Sequence, residues 1–230
     1  MAKEKIMTIE NYCKVLKGEF DAHSEVMQKT NHDQHDEEPN YWDYLLGKVK
    51  TNPELWTGKA ALDFGCGCGR NLKNMADFAK FDRVDGVDIC SENAKFAGKY
   101  IAETHPNVKS RTWENNGFDV QPCDDNVYDF IMSHQVLQHI SNYDVRFSLL
   151  TDLYRVLKPE GLLSIHFMDL DIYLPYYGKN DGSSCLNVVI GDPKHVVDDL
   201  EKIGYQDVSF THTEDMYGKR NEYYFEGTKK

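Results

Sequence analysis

The chain of 230 residues contains no apolar run approaching the roughly 20 residues that a bilayer span needs, and nothing near Met1 has the apolar core of a secretory leader. A cytoplasmic protein without a membrane partner is therefore expected. Basic excess is also missing. Against 38 Asp and Glu there are 26 Lys and Arg, a formal net charge of −12, so long-range attraction to phosphate backbones cannot supply affinity and nucleic acid is not an expected partner. The six cysteines, at 13, 66, 68, 90, 123 and 185, lack the Cys-x-x-Cys pairing of a zinc site, which leaves reduced thiols and no metal centre as the expectation. There is no internal repeat and no low-complexity tract, and no feature specifies an oligomeric state. A chain of this length suits one α/β domain with a full core.

What is present is organised around Ala60-Ala61-Leu62-Asp63-Phe64-Gly65-Cys66-Gly67-Cys68-Gly69-Arg70. Ala61 to Phe64 has the length of a buried parallel strand and runs into three glycines at alternate positions, after which a helical pattern begins at Arg70. Such a turn lets a ligand approach the main chain closely. The dinucleotide fingerprint wants glycines at the first, third and sixth positions, and the sixth position counted from Gly65 is Arg70, so that chemistry is excluded. Cys66 and Cys68 read as small residues packed beside the ligand. The next strand, Arg83 to Ile89, ends in Asp88, at the spacing from the turn where an acid reaches the hydroxyls of a ribose. The alternative for Asp88 is an N-terminal charge beside Ser91, the cap of a helix running to about Glu103.

The remaining elements follow in order. Apolar residues from Thr8 to about Lys29 recur at mixed spacings, predicting an interrupted helix with one sticky face, and a second short helix fits Tyr41 to Val49. Between them the run Asn31 to Glu38, with His32 and His35, reads as a solvated loop, although its histidines and carboxylates could be drawn as a metal site. A helix is predicted from Arg70 to Lys80, a third strand over Val108 to Trp113 and a fourth over Val127 to Ser133. His134 and Gln135 sit near the tip of that fourth strand. His139, among Val136, Leu137 and Ile140, reads either as a structural or as a catalytic histidine. A helix over Asn142 to Leu157 is closed by Lys158-Pro159-Glu160-Gly161, the punctuation expected before a fifth strand over Gly161 to Phe167. The segment 168–182 then forms a long tyrosine-rich loop, read as acceptor-binding or as a structural flap. Asp192-Pro193 opens the last helix, Gly204 closes it, and strands over Asp207 to His212 and Glu222 to Gly227 are close enough to pair as a hairpin.

The glycine turn, the acid of the second strand, the fourth-strand segment and the closing hairpin together resemble the class I S-adenosylmethionine-dependent methyltransferases over about residues 55–230. The resemblance implies an α/β three-layer sandwich with a doubly wound, mostly parallel seven-stranded sheet of order 3-2-1-4-5-7-6 and an antiparallel seventh strand. It implies S-adenosyl-L-methionine as cofactor and S-adenosyl-L-homocysteine as product, held by Asp63, Gly65, Cys66, Gly67, Gly69, Arg70, Asp88, Ile89, Asn116, Gly117, Phe118 and Ser133. In that set Asn116 would meet the adenine amine and Phe118 its ring. Residues 1–54, outside the resemblance, are expected to form a helical lid over the 55–230 domain. A small-molecule acceptor, methylated at N or O, is expected at Tyr41, Trp42, His134, Gln135, Asp169, Tyr173, Tyr176 and Tyr177, with His134 as the candidate catalytic base. Asp169 and Asp171 invite comparison with metal-dependent relatives, but no ligand set accompanies them near the fourth strand. A tRNA or protein methyltransferase and a non-catalytic adenosyl-binding regulator are the alternatives.

Overall fold

Strand β1, Ala60–Phe64, lies inside a seven-stranded sheet, where both of its faces are covered and a continuous apolar run is the stable solution. A computed structural model of the chain describes residues 8–33, 42–169, 173–176, 187–214 and 221–230. On one side β1 pairs in parallel with β2 (Arg83–Asp88), which pairs with β3 (Thr112–Glu114). On the other side it pairs in parallel with β4 (Tyr128–Ser133), and β4 with β5 (Leu157–Met168). The sheet closes with β9 (Asn221–Thr228), antiparallel to β5, and the edge strand β8 (Gln206–Glu214). Numbering only these seven strands in chain order, the arrangement is 3-2-1-4-5-7-6 with the seventh antiparallel, as expected.

Helices cover both faces. One apolar cluster joins α6 (Tyr143–Val156) and α7 (Lys194–Ile203) to Leu62, Phe64, Ile131 and Ile165, and also takes in Tyr12, Cys13 and Leu16 of α1 (Ile9–Asp33). The other joins α4 (Arg70–Phe78) and α5 (Ser91–Thr104) to Ala61, Val84 and Phe130, together with Trp42 and Leu45 of α2 (Trp42–Leu45) and Val49 of α3 (Gly47–Thr51). Each fully buried aliphatic or aromatic side chain in these layers contributes about 1.5–3 kcal/mol. Among the described residues no helix is long and apolar enough to cross a membrane.

Five expectations are corrected by the structure. The N-terminal helix is continuous over Ile9–Asp33, because Cys13 and Ser24, residues that weaken the apolar pattern on paper, are buried on the same face as Tyr12 and Leu16. The second helix is split into α2 and α3 by a bend at Leu46. Lys158 to Gly161 does not separate α6 from the fifth strand. It is a bulge inside β5, where Tyr128 faces Leu157 but Phe130 faces Leu162, with Glu160 at φ 63°. A bulge is where a proline is tolerated in a sheet. The third strand is reduced to three residues because the Arg111 amide donates to the Asp85 carboxylate at 2.9 Å, a side-chain partner in place of a strand partner. Within the expected loop 168–182, β6 (Tyr173–Pro175) pairs with β7 (Asn187–Val189), which lies beyond it, as a separate parallel ladder. The run 34–41, Asp171, Tyr177, Cys185 and the segment around Gly218 lie outside the described residues.

Gly69, at the start of α4, has φ 92°, and a Cβ there would lie 3.1 Å from the Cα of Ala97 on α5. Gly69→Ala is therefore expected to lower the unfolding free energy by about 1–3 kcal/mol, from backbone strain and crowding combined. Urea denaturation of the two proteins checks this, and coincident midpoints would contradict it.

Candidate active site

The parallel strands β1, β2 and β4 end together at one edge of the sheet, and the turn after β1 is drawn onto the end of β2. Gly65 and Cys66 donate their amides to the Val87 carbonyl at 2.8 and 3.0 Å, and Gly69 donates to the Cys66 carbonyl at 2.9 Å. Gly65 and Gly67 adopt φ 77° and 49°, in the left-handed region where only glycine is free of strain. The Gly67 amide donates to Asp88 Oδ2 at 2.9 Å, and the other oxygen of that carboxylate accepts the Cys90 amide at 2.8 Å. The Asn93 side chain is a third donor near this carboxylate, whose two oxygens still have lone-pair capacity beyond the two amides. Burial raises the proton affinity of Asp88, while these two amides and the charge of Lys17 oppose the rise.

Beneath the turn, Asp63 is fully buried and neither of its carboxylate oxygens has a hydrogen-bond partner. Burial, reinforced by the charge of Asp88 and opposed by Arg70, pushes its carboxyl up to about 7. Arg70 Nη2 lies 3.5 Å from His134 Nδ1. His134 meets His166 in a tilted contact, 4.8 Å between ring centres, and His166 meets Tyr224 in another at 4.7 Å. Gln135 takes φ 56°, and its amide donates to His166 Nδ1 at 3.3 Å, which places the His166 proton on Nε2. Burial drives both imidazoles towards the neutral form, His166 down to about 3 and His134 well below its usual value, with His166 and Arg70 adding to the effect on His134.

The glycine turn, Asp88, Arg70, His134 and Gln135 face a cavity of about 250 Å3. Helix α1 forms one wall with Leu16, Phe20 and Met27, and the segment after β4 forms another with Val136, His139 and Ile140. Phe20 meets His139 edge-on at 5.9 Å. The helix is fastened to the domain on two sides. Tyr12 Oη pairs with Ser141 Oγ at 3.2 Å and accepts the Asn142 amide at 3.3 Å. Lys17 Nζ donates to the Ile89 carbonyl at 3.2 Å and pairs with Glu114 at 3.0 Å and Asp21 at 3.1 Å.

Of the residues singled out in the sequence, Gly65, Cys66, Gly67, Arg70, Asp88, Ile89, Gly117, His134 and Gln135 line this cavity. Asp63, Gly69 and Ser133 lie behind it, Ser133 donating its hydroxyl to the Phe64 carbonyl at 2.9 Å. Others are placed elsewhere. Asn116 is exposed, and its side-chain oxygen accepts the amides of Phe118 and Asp119 at 3.0 Å each, closing a turn. The reversal at Gly117, φ 87°, presents Asn115 to the cavity instead, and Phe118 packs on the apolar core. Trp42 is buried against Phe78 at 4.7 Å, among the helices of the second cluster. Asp169, just after β5, accepts the Ile190 amide at 3.1 Å and the Asn221 side chain at 3.3 Å, and so ties the residue after β7 to the start of β9. Tyr176 is buried, its carbonyl accepting from the guanidinium of Arg146, which also donates to the Ile140 carbonyl. Tyr41, Tyr177 and the Tyr173 side chain lie outside the described residues. The cavity also holds Leu16 and Phe20, which the sequence did not mark as site residues although their four-residue spacing on α1 was a signal, and His139, whose role the sequence left open between structural and catalytic.

A family model described as a methyltransferase domain matches residues 62–165. The chain is similar to phosphoethanolamine N-methyltransferase 2 of Caenorhabditis elegans, 27% identical over 146 residues, a match covering 63% of this chain and 30% of that protein. Among solved structures it is similar to a Haemonchus contortus phosphoethanolamine N-methyltransferase 2 in complex with phosphomonomethylethanolamine and S-adenosylhomocysteine, with TM-score 0.60 and 17% identity over 82% of this chain and 52% of that one. It is also similar to a SAM-dependent methyltransferase from Aquifex aeolicus, with TM-score 0.60 and 20% identity over 89% of this chain and 97% of that one. At these identities the two solved structures establish a common fold. The chain spans less than a third of the nematode relative's length.

The buried acid and the buried imidazoles act on stability in opposite pH directions. The folded chain keeps the Asp63 proton up to about pH 7, whereas the unfolded chain releases it near 3.8. The stability this proton contributes is fully present below the unfolded value and is lost as pH rises through 7. The folded chain refuses a proton at His166 until about pH 3, against 6.5 when unfolded, so that contribution is complete above 6.5 and is lost as pH falls. Asp63→Asn, which removes the first effect alone, is expected to gain about 1–3 kcal/mol relative to the native protein between pH 5 and pH 8. Denaturant titrations of both proteins at the two pH values give the comparison, and a difference that does not change with pH would refute it.

Proposed function

With residues 62–165 forming a class I S-adenosylmethionine-dependent methyltransferase domain, we propose that the cavity between the strand tips and α1 holds the cofactor and that the chain methylates N or O of a small-molecule acceptor, with α1 as the lid. The residues present fit such a ligand. Asp88 has lone pairs left for the ribose hydroxyls, Ile89, Asn115 and Gly117 frame a site for the adenine, and Gly65 to Gly67 with Arg70 flank a site for the amino-acid end. Bound there, S-adenosylmethionine supplies a methyl group on a positively charged sulfur that is already a good leaving group.

The chain's own work is then to orient the acceptor and exclude water, effects together worth up to about 7–11 kcal/mol in favourable intramolecular cases. His134 and Gln135 at the tip of β4 are placed to touch the acceptor, and His139 faces the same space. The low proton affinity of His134 makes it a poor general base at neutral pH, so its part is to accept a hydrogen bond and orient the acceptor. An amine acceptor attacks as the free base and can lose its proton after transfer. The single observation that carries the small-molecule reading is the closure of the cavity by α1 of the same chain, with Leu16, Phe20 and Met27 facing inward. The likeness to phosphoethanolamine N-methyltransferases supports the same size class of acceptor.

Asp88→Ala is expected to weaken S-adenosylhomocysteine binding on the order of 10- to 100-fold, a loss of about 1.4–2.8 kcal/mol. Asp88→Asn, which keeps an oxygen for one backbone amide, separates the ligand effect from loosening of the turn. Calorimetry on the three proteins, with circular dichroism to monitor the fold, reads the result, and unchanged affinity in Asp88→Ala would remove the ribose role.

A further inference from the structure

The two fastenings of α1 differ in chemistry. At the tip of β4 the contact is neutral, a tyrosine hydroxyl meeting a serine hydroxyl and a backbone amide. At the tips of β2 and β3 it is ionic. Lys17 Nζ bridges the carbonyl of Ile89, the residue after Asp88, and the carboxylate of Glu114, the residue before Asn115. Ile89, Asp88 and Asn115 all face the cavity, and so do Leu16 and Phe20, one position before Lys17 and one helical turn after it. The ammonium therefore crosses the rim on the half of the cavity assigned above to adenosine.

We infer that Lys17 is a positioning residue for the cofactor, an ionic strap that holds α1 over the adenosine half of the cavity and sets how fast the cofactor leaves. The inference rests on the cofactor site proposed above. A strap of this kind must be strong enough to slow exit and weak enough to release. The Lys17 and Glu114 side chains are 33% and 42% exposed, so their attraction is partly screened by solvent and modest in size, and it weakens as salt is added. The hydrogen bond from the ammonium to the Ile89 carbonyl adds direction, since it fixes the helix relative to the residue next to Asp88. Lifting α1 at this point withdraws Leu16 and Phe20 together, while the Tyr12 contact, which carries no formal charge, responds little to salt. The charge of Lys17 also favours the ionised form of Asp88, so the strap and the carboxylate support each other.

The test is stopped-flow dissociation of S-adenosylhomocysteine from the native chain, Lys17→Met, Lys17→Arg, Glu114→Gln and Tyr12→Phe, each at 50 and 500 mM sodium chloride. Lys17→Met keeps the aliphatic stem and, being half-exposed on a helix, should fold. Native dissociation is expected to speed up several-fold with salt. Lys17→Met is expected to dissociate roughly tenfold faster at low salt and to lose most of the salt dependence, with Glu114→Gln intermediate, Lys17→Arg close to native and Tyr12→Phe still salt-dependent. A Lys17→Met rate within twofold of native, or an undiminished salt dependence in that variant, overturns the strap. The parent reading fails separately: if the native chain does not bind S-adenosylhomocysteine, or if Asp88→Ala binds it as well as the native chain does, the cofactor placement is wrong whatever Lys17 does.

Discussion

The carboxylate of Asp88 accepts the amide of Gly67 with one oxygen and the amide of Cys90 with the other, so one side chain joins the turn after β1 to the start of α5. Neither segment could be held this way by a backbone partner alone. The turn has left-handed φ at Gly65, Gly67 and Gly69 and cannot continue a strand ladder, and the first amides of a helix have no partner within it. The acid supplies the missing acceptor to both. Because it stands at the tip of β2, it also fixes where the turn lies relative to the rim formed by Ile89, Glu114 and Asn115. The shape of the cavity on that side follows from this junction.

On the other side the shape depends on groups kept neutral. His134 and His166 lie in tilted contact between Arg70 and Tyr224, and a proton on either imidazole would add a buried charge near the guanidinium of Arg70. Their neutrality lets His166 accept the Gln135 amide and hold that residue in a conformation non-glycine residues seldom adopt. Asp63 below is likewise shifted towards its neutral form by burial. The floor of the site thus combines one permanent cation, Arg70, with acids and imidazoles whose charge is suppressed, an arrangement in which a bound ligand's own charge would be weakly screened.

The parts of this architecture that could be read from the chain were those where one residue type answers one backbone demand. Glycines at alternate positions after a short apolar run announce a turn on a parallel sheet, and an acid at the end of the next strand announces its partner. The failures have equally local causes. Cys13 and Ser24 hid the continuity of α1 because their burial follows from position and not from hydropathy. Lys158-Pro159-Glu160-Gly161 has the composition of a terminator and serves as a bulge, because β9 runs alongside and gives the strand a partner on both sides of the irregularity. Asn116 and Asn115 are chemically identical, and only the φ of Gly117 decides which faces the cavity. A helical cover from residues 1–54 was expected, but which side chains of α1 form the wall was not legible, since that depends on a docking of distant segments that no local pattern encodes.

That docking bears on the order in which the molecule assembles. Tyr12 and Ser141 are 129 positions apart, so the contact cannot form until the strands between them have brought the β4 tip into place, and the cost of closing so long a loop is met by the sheet beforehand. Helix α1 docks through Tyr12, Cys13, Leu16 and Ser24 and pairs with no strand, so its detachment breaks no ladder of the sheet. The protein can therefore expose its interior at that face through a partial, reversible unfolding event that leaves the seven strands paired.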